Sequence, residues 1–480
     1  MLLAAVLVSL SAPTTINGVA EQILAASPNV GVWVGCNFGG KTQVGAAGLS
    51  DIESRAEAHA DQLLSFASIS KPVTATIMTE ALLASGGSLD TKIVDINPEW
   101  KRVALPEYWS ITLEDVLLHR TRLPRDFNNI PIQKAGFPEF RLAQCTKLLQ
   151  QPPRDNPEMK ELYSNAGYTL FTSAVEQLVH VKFEEVAKQS LRINFGLPSL
   201  TFLTEELDQK RRPKTYEQKK GWEFVPPRTI QSLDWQPSGG LKGTMADLVG
   251  FGKYFCDALN SDMNGLHSST AKTLTKEAVG RSVGWATGSL GKNHRYYQHT
   301  GKIQGELSNL IVFPERKWCL GWYRNSSNGT EQDWTGESQS ALLDFAFSQK
   351  GIRTTQRSDL RISKTEFMSD DMKQSKWPAP TDQKINIHLV LQVTGAQIND
   401  CVIKVKLDDQ TRKTYWLDGL KPGMHNFYYS LKRPASNKFS LKFLVDEVGL
   451  VNDPDRSNND KAVEIDLDAR QSESTGLGII

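Results

Sequence analysis

Apolar positions along Val30 to Cys36 and Thr42 to Ala47, on either side of an Asn-Phe-Gly-Gly-Lys turn, predict two paired strands near the start of the chain. The spacing then changes. Ile69, Val73, Ile77 and Ala81 recur at a helical period until Gly86-Gly87 stops the run, which predicts a helix. A mostly helical, loop-rich stretch follows from about residue 88 to 260. Strand character returns at Tyr296 to His299, Ser308 to Phe313 and Trp318 to Tyr323, and a helix is expected over about Gly336 to Gln349. A sheet assembled from both ends of a region, with helices inserted between, is an α+β layout with a cleft where the two parts meet.

Residues 357–383 are polar, contain Trp377-Pro378-Ala379-Pro380 and read as a linker. Short alternating runs come next at Ile385 to Val393, Cys401 to Leu407, Thr414 to Leu417, His425 to Leu431, Ser440 to Asp446 and Ala462 to Leu467. Turn residues separate them at sandwich-like spacing, which predicts a small all-β domain over 384–470 and leaves 471–480 as a tail. The first domain is then 1–356. Two readings of the extreme N-terminus stand side by side. Leu2 to Leu10 with Gly18-Val19-Ala20 resembles a signal peptide lacking its basic start, and Thr15 could instead cap a helix whose Ile16, Val19, Ile23 and Leu24 pack on the first strand. The apolar run is too short to span a bilayer.

Charge and cysteine usage narrow the chemistry. With 55 Lys+Arg against 54 Asp+Glu the formal net charge is +1, so no nucleic-acid partner is implied. Five scattered cysteines make neither a disulfide framework nor a metal cluster, and eight histidines show no HExxH pattern, so neither metal nor cofactor is expected. Asn325-Ser326-Ser327 and Asn328-Gly329-Thr330 are formal glycosylation sequons.

Three short motifs carry the candidate chemistry: Ser68-Ile69-Ser70-Lys71, Tyr163-Ser164-Asn165 and His299-Thr300-Gly301. Singly each is weak, since Ser-x-x-Lys recurs at Ser269 and Ser289, Tyr-x-Asn at Tyr323, and Lys-x-Gly at Lys219 and Lys421. Context favours the first copies. Ser68 is expected at a helix N-terminus, with Pro72 tolerated in the first turn, and Lys71 projects from the same face three residues on. An amine there can receive the serine proton if burial or a neighbouring cation keeps part of it neutral. Tyr163 lies in a loop before a helix, placed to act as a general base and then as an acid toward the leaving group, while Asn165 orients a substrate amide or Lys71. His299 is expected to close a strand and face the cleft, and Gly301 to let a ligand approach the strand edge. The N–H of Ser68 and that of Lys302 are the expected oxyanion donors. Ser238-Gly239-Gly240-Leu241-Lys242-Gly243 is a turn before a helix capped by Thr244, which makes Gly239 and Gly240 candidates for the cleft wall.

The order and surroundings of these motifs resemble the serine β-lactamase-like, penicillin-recognising superfamily, in its class C branch of esterases, D-aminopeptidases and acyltransferases. The resemblance runs over roughly residues 15 to 350. It includes Phe66-Ala67-Ser68, Gly87-Ser88-Leu89-Asp90, Ile111-Thr112-Leu113-Glu114-Asp115-Val116-Leu117-Leu118-His119, Asn194-Phe195-Gly196-Leu197-Pro198 and Ser238-Gly239-Gly240-Leu241. It implies a β-lactamase/transpeptidase-like antiparallel sheet with flanking helices and a helical subdomain. It also implies acylation of Ser68, with Lys71 and Tyr163 as acid–base partners. Three features depart from the pattern. His299 stands where class C β-lactamases carry lysine, which resembles the esterase and aminopeptidase members. His119-Arg120-Thr121-Arg122-Leu123-Pro124 replaces His-Thr-Ser-Gly-Leu-Pro, so a different loop backbone is expected. Residues 204–236 form a long basic stretch, expected to be a solvated insertion, with a substrate-covering lid as the alternative. In the β domain Leu417-Asp418-Gly419-Leu420-Lys421-Pro422-Gly423, Val445-Asp446 and Asn458-Asn459-Asp460 resemble immunoglobulin-like adhesion modules.

The expectation is therefore a cofactor-free serine hydrolase or acyltransferase. It would work through an acyl-enzyme on an ester, amide or thioester of a small molecule or peptide. A catalytically silent ligand-binding member of the same superfamily is the competing reading.

Overall fold

The computed structural model describes residues 13–26, 29–38, 40–127, 139–154, 161–203, 208–219, 221–225, 236–260, 265–276, 281–290, 294–327, 338–339, 341–346, 358–368, 374–375, 384–407, 410–432, 438–446, 451, 453, 457 and 459–466. They fall into two compact units. One holds 16–289 and 294–331, and the other is built mainly from residues after 331.

In the first unit, an N-terminal helix, Ile16–Ala26, precedes the strands and packs on β1 and β2 with Val19 and Ile23 buried. The strands are β1 (Gly31–Phe38), β2 (Lys41–Asp51), β3 (Ala56–Glu57), β4 (Leu64–Ala67), β5 (Thr215–Gln218), β6 (Trp222–Val225), β7 (Leu241–Gly243), β8 (Arg281–Ser282), β9 (Trp285–Leu290), β10 (His294–Ile303), β11 (Glu306–Phe313), β12 (Trp318–Arg324) and β13 (Ser326–Ser327). Eight of them form one sheet in the order β3-β2-β1-β12-β11-β10-β9-β8. β1 pairs antiparallel with β2 on one side and with β12 on the other, so the two ends of the region meet at the sheet centre as the hydrophobic pattern requires. Every residue of β1, β11 and β12 is buried, the mark of strands covered on both faces.

The helix that follows the candidate serine spans Ser70–Ala84. Its burial exceeds the expected single stripe. Ser70, Lys71, Thr74, Thr76, Thr79 and Glu80 are buried along with Val73, Ile77, Met78 and Leu82, so this is a central helix rather than an amphipathic surface one. Its polar side chains are largely satisfied within the core. Thr74 donates to the Pro237 carbonyl at 2.7 Å, and the Glu80 carboxylate accepts from Tyr254 at 2.8 Å. The Met245–Leu259 helix packs on the sheet, where Gly35 and Gly321 leave room for Met245 and Val249.

Several expectations need correction. Ser68 does not begin the helix. It sits in a two-residue turn between β4 and Ser70, and Ser70 holds that turn by donating to Ala67 O at 2.6 Å and accepting from Leu241 N at 2.8 Å. His299-Thr300-Gly301 lies inside β10, which continues to Ile303, rather than at a strand end. The Gly-rich segment at 236–243 is a short helix, Gln236–Gly239, followed by β7, which pairs with β4. The Asn325 sequon is closed to modification in the folded chain, because its buried amide bonds Gly31 N, Leu49 O and Lys214 O. The second sequon lies outside the described residues.

The second unit contains β14 (Ser358–Met368), β15 (Gln374–Ser375), β16 (Lys384–Gly395), β17 (Ile398–Leu407), β18 (Gln410–Leu420), β19 (Gly423–Lys432), β20 (Lys438–Val445) and β21 (Asp460–Asp466). They make two four-stranded sheets, β15-β14-β16-β19 and β18-β17-β20-β21, around one core that includes Ile387, Leu389, Leu391, Ile403, Val405 and Phe443. Part of the segment expected to be a linker is thus a strand, since β14 pairs with β16 along its length. Trp377-Pro378-Ala379-Pro380 lies outside the described residues.

Candidate active site

Three chain segments, far apart in sequence, bring their side chains to one cleft of about 730 Å³ in the first unit. Ser68 enters from the β4 turn, Tyr163 and Asn165 from the start of the Asn165–Val179 helix, and His299, Thr300 and Lys302 from β10; Ser238 and Gly239 line the same space. The motifs picked out as copies do not join them. Ser269 is exposed on the Gly265–Leu274 helix, Ser289 lies in β9, and Tyr323 is buried in β12 against Glu306.

Ser68 is half-buried, and Ala67 before it adopts the left-handed conformation at φ 46°. A non-glycine residue there costs on the order of 1 kcal/mol, strain that the flanking β4–β7 pairing and the Ser70 hydrogen bonds hold in place. Lys71, one helical turn on, is fully buried. Its Nζ lies 3.2 Å from Ser68 Oγ, 2.7 Å from Asn165 Oδ1 and 2.8 Å from the Ser238 carbonyl oxygen. Nζ also sits over the Tyr163 ring, 4.6 Å from its centroid. Burial pushes the Lys71 amine well below the ordinary lysine range; the Asp126 carboxylate opposes that shift, and the Arg125 guanidinium adds to it.

The chemistry follows from counting donors. Amide and backbone carbonyl oxygens only accept, so Asn165 Oδ1 and Ser238 O each take one Nζ–H. A neutral amine has two hydrogens and one lone pair. With both hydrogens committed, the lone pair points at the remaining neighbour, Ser68 Oγ.

Tyr163 is held by its surroundings rather than by its own helix. Arg154 donates to the carbonyls of Leu162 at 2.6 Å and Tyr163 at 2.9 Å, and Ser164 N donates to His119 Nδ1 at 3.1 Å. Ser164 then caps the helix by accepting from Gly167 N at 2.9 Å. The His119–Pro124 loop makes a left-handed turn without glycine: Arg122 takes φ 55°, and its Nε bonds Arg154 O at 3.0 Å.

Gly301 has a different role from the one expected. A Cβ there would lie 2.2 Å from Phe66 O, so the missing side chain lets β10 approach the backbone before Ser68 rather than a ligand. Gly240 is similarly crowded, by the Gln236 backbone at 2.8 Å, whereas Gly239 opens onto the cleft. His299 is half-buried with Nδ1 2.8 Å from Thr300 O; that carbonyl can only accept, so Nδ1 carries the proton.

A Beta-lactamase family model matches residues 17–341. The chain belongs to the β-lactamase family. It is 26% identical over 195 residues to a putative fimbrial assembly protein FimD, serogroup D, of Dichelobacter nodosus, a match covering 38% of this chain and 46% of that protein. It is 23% identical over 272 residues to penicillin-binding protein 4 of Amycolatopsis lactamdurans, covering 53% and 70% respectively. The chain thus spans about half the length of the fimbrial-assembly relative. Among solved structures, a class C β-lactamase from Rhodobacter sphaeroides superposes with a TM-score of 0.55 at 16% identity, over 68% of this chain and 97% of that one. That likeness concerns the fold. Membership in the β-lactamase family supports serine-hydrolase chemistry of a general kind.

Four contributors escaped the sequence reading. Asp126 accepts from Asn165 Nδ2 at 2.7 Å, Arg125 lines the cleft beside it, the Ser238 carbonyl holds Lys71, and Glu217 lines the cleft from β5. The last of these also changes the view of residues 204–236 as a solvated insertion for the β5–β6 part alone: Lys210 and Lys219 are exposed as expected, and 204–207, 220 and 226–235 lie outside the described residues. The β5–β6 hairpin is anchored by buried Tyr216, whose hydroxyl accepts from Ile52 N at 2.8 Å and donates to Glu53 at 2.9 Å, and it forms part of the cleft wall.

Proposed function

We propose that this chain is a serine hydrolase or acyltransferase. It would form an acyl-enzyme on Ser68 from an ester, amide or thioester of a small molecule or peptide. The observation that carries this reading is the buried Lys71 amine, 3.2 Å from Ser68 Oγ, with two acceptor-only partners on its other sides. Such an amine takes the serine proton as Oγ bonds to the carbonyl carbon. The N–H groups of Ser68 and Lys302 receive the oxyanion, and Tyr163 passes a proton to the departing alcohol, amine or thiol as its bond to carbon breaks. Water, or a second nucleophile in transfer, then attacks the acyl carbon with Lys71 and Tyr163 acting in reverse, which returns Ser68 to its hydroxyl form. This order makes Lys71 the base in acylation and Tyr163 chiefly the acid toward the leaving group.

The cleft supports a substrate read partly by polar contacts. Asn165, His299 and Thr300 offer hydrogen-bonding groups beside Ser68, and Arg125, Asp126 and Glu217 place both signs of charge within the same space. The test is intact mass after exposure to a fluorophosphonate. A single adduct on a peptide containing Ser68, lost in Ser68→Ala and retained in Ser269→Ala and Ser289→Ala, is expected. A folded wild-type protein that takes no adduct overturns the proposal in favour of a silent binding protein.

A further inference from the structure

Asp126 touches neither Ser68 nor Lys71 by hydrogen bond, yet it controls the group that does. Its Oδ1 accepts from Asn165 Nδ2 at 2.7 Å, while Asn165 Oδ1 takes the Lys71 Nζ at 2.7 Å. An asparagine amide has two nearly isosteric orientations that exchange donor for acceptor. Only one is compatible with a carboxylate on one side and an amine on the other. Rotated by half a turn, Asn165 would set its oxygen against the Asp126 oxygen and its NH₂ against the Lys71 hydrogens.

The carboxylate is itself fixed. Three successive carbonyls of its loop are held from behind: Leu123 O by Arg154 Nε at 2.7 Å, Pro124 O by Ser164 Oγ at 2.6 Å, and Arg125 O by Asn165 N at 2.8 Å. The Asp126 side chain is 13% exposed, and Arg125 Nε lies 3.6 Å from its second oxygen. Loop, carboxylate, amide and amine therefore form one chain of contacts from a rigid backbone to the nucleophile.

We infer that Asp126 is a positioning residue for acylation, which locks the Asn165 amide so that Lys71 presents its lone pair to Ser68. The inference rests on the proposed role of Ser68 and Lys71. Among the described residues, the groups that face the amine are Ser68 Oγ, Asn165 Oδ1, the Ser238 carbonyl and the rings of Tyr163 and Tyr168, with Asp126 and Arg125 as the nearby charges. Of the two charges, Asp126 raises the Lys71 pKa and Arg125 lowers it. Replacing the carboxylate by an amide leaves Arg125 unopposed and also allows the Asn165 amide to turn.

The experiment is a double-mutant cycle on the rate of fluorophosphonate labelling, with Asp126→Asn, Asn165→Ala and the double variant followed by intact mass across pH. Asp126→Asn should slow labelling on the order of 10²-fold through lost alignment. It should cost no more than about twofold when Asn165 is already alanine, the limit expected for sites that act as one unit. The acid limb of its pH profile should move to lower pH, since the amine that must be neutral now loses its proton more easily; a carboxylate with no influence on the amine would not shift it. Additive losses, or an acid limb that stays in place, overturn the inference while Ser68 labelling in the wild type keeps the hydrolase reading intact. No labelling of folded wild type overturns both.

Discussion

Gly301 of β10 faces the carbonyl oxygen of Phe66, two residues before the candidate nucleophile, so closely that a methyl group would lie 2.2 Å from it. The same spot is filled from the side by Ser308, whose hydroxyl donates to Phe66 O at 3.0 Å. The distance between the serine turn and the strand that carries Lys302 is set by this contact. Both expected oxyanion donors depend on it.

Gly301→Ala must push β10 and the Phe66 backbone apart, because the clash is with backbone on one side and a hydrogen-bonded hydroxyl on the other. Labelling of Ser68 should fall on the order of 10²-fold from the displaced geometry. Overpacking should lower stability by about 1–3 kcal/mol, as read by urea unfolding. A variant that labels at the wild-type rate would show that β10 takes no part in the oxyanion site.

Proton transfer gives a prediction with a sign. Because burial holds the Lys71 amine well below the ordinary lysine range, it is already neutral at pH values where a solvated lysine is charged. The labelling rate should rise with pH along a limb far below about 10, the unperturbed lysine value. Lys71→Arg, which stays protonated, should abolish labelling at every accessible pH. Tyr163→Phe should slow single-turnover acylation by about 10²- to 10⁴-fold with little change in thermal stability, since Arg154 and His119 hold the loop through its backbone. Acylation by Tyr163→Phe at the wild-type rate would leave Lys71 acting alone.

Much of this architecture was readable in the chain, and the unread parts share a cause. β1, β11 and β12 are rich in apolar residues, and Ile69, Val73, Ile77 and Ala81 recur at helical spacing, so the existence and order of these elements could be foreseen. β14 could not: a bulge between Ile362 and Lys364 shifts its inward face from Leu360 and Ile362 to Phe367, which breaks the alternation. At the site, Ser68, Lys71, Tyr163 and Asn165 stand in short motifs. The Ser238 contribution is a backbone carbonyl, on which side-chain identity has no bearing. Asp126 and Glu217 are single carboxylates in polar segments, and only the folded loop and hairpin reveal which way they face.

Substrate preference should follow His299. With Nδ1 committed to Thr300 O, His299 lines the cleft as an imidazole in place of a flexible lysine ammonium. Simple p-nitrophenyl esters or D-amino-acid amides should therefore be turned over with a far higher kcat/KM than nitrocefin, whose carboxylate gains from a fixed cation. Comparable specificity constants for nitrocefin and the best ester would contradict this. His299→Lys should narrow the gap from the nitrocefin side.

Glu306 begins β11 and is 7% exposed. Burial raises its carboxyl from 4.5 to about 7, against the opposing pull of Arg212, the Tyr323 hydroxyl that donates to it at 3.0 Å, and Lys242. A carboxyl whose folded pKa is raised binds its proton more tightly in the native state than in the unfolded one. The stability it contributes is full below the unfolded value and is lost as pH rises through the folded one. The wild type should thus lose stability between about pH 4.5 and 7, by on the order of 3 kcal/mol if the shift is fully expressed. Glu306→Gln keeps an oxygen for Tyr323 and has no proton to release, so this component of the pH dependence should vanish in the variant. Urea unfolding of both proteins at pH 5 and pH 8 measures it. Parallel losses in the two would mean that Glu306 does not titrate in that window and that other groups set the pH response.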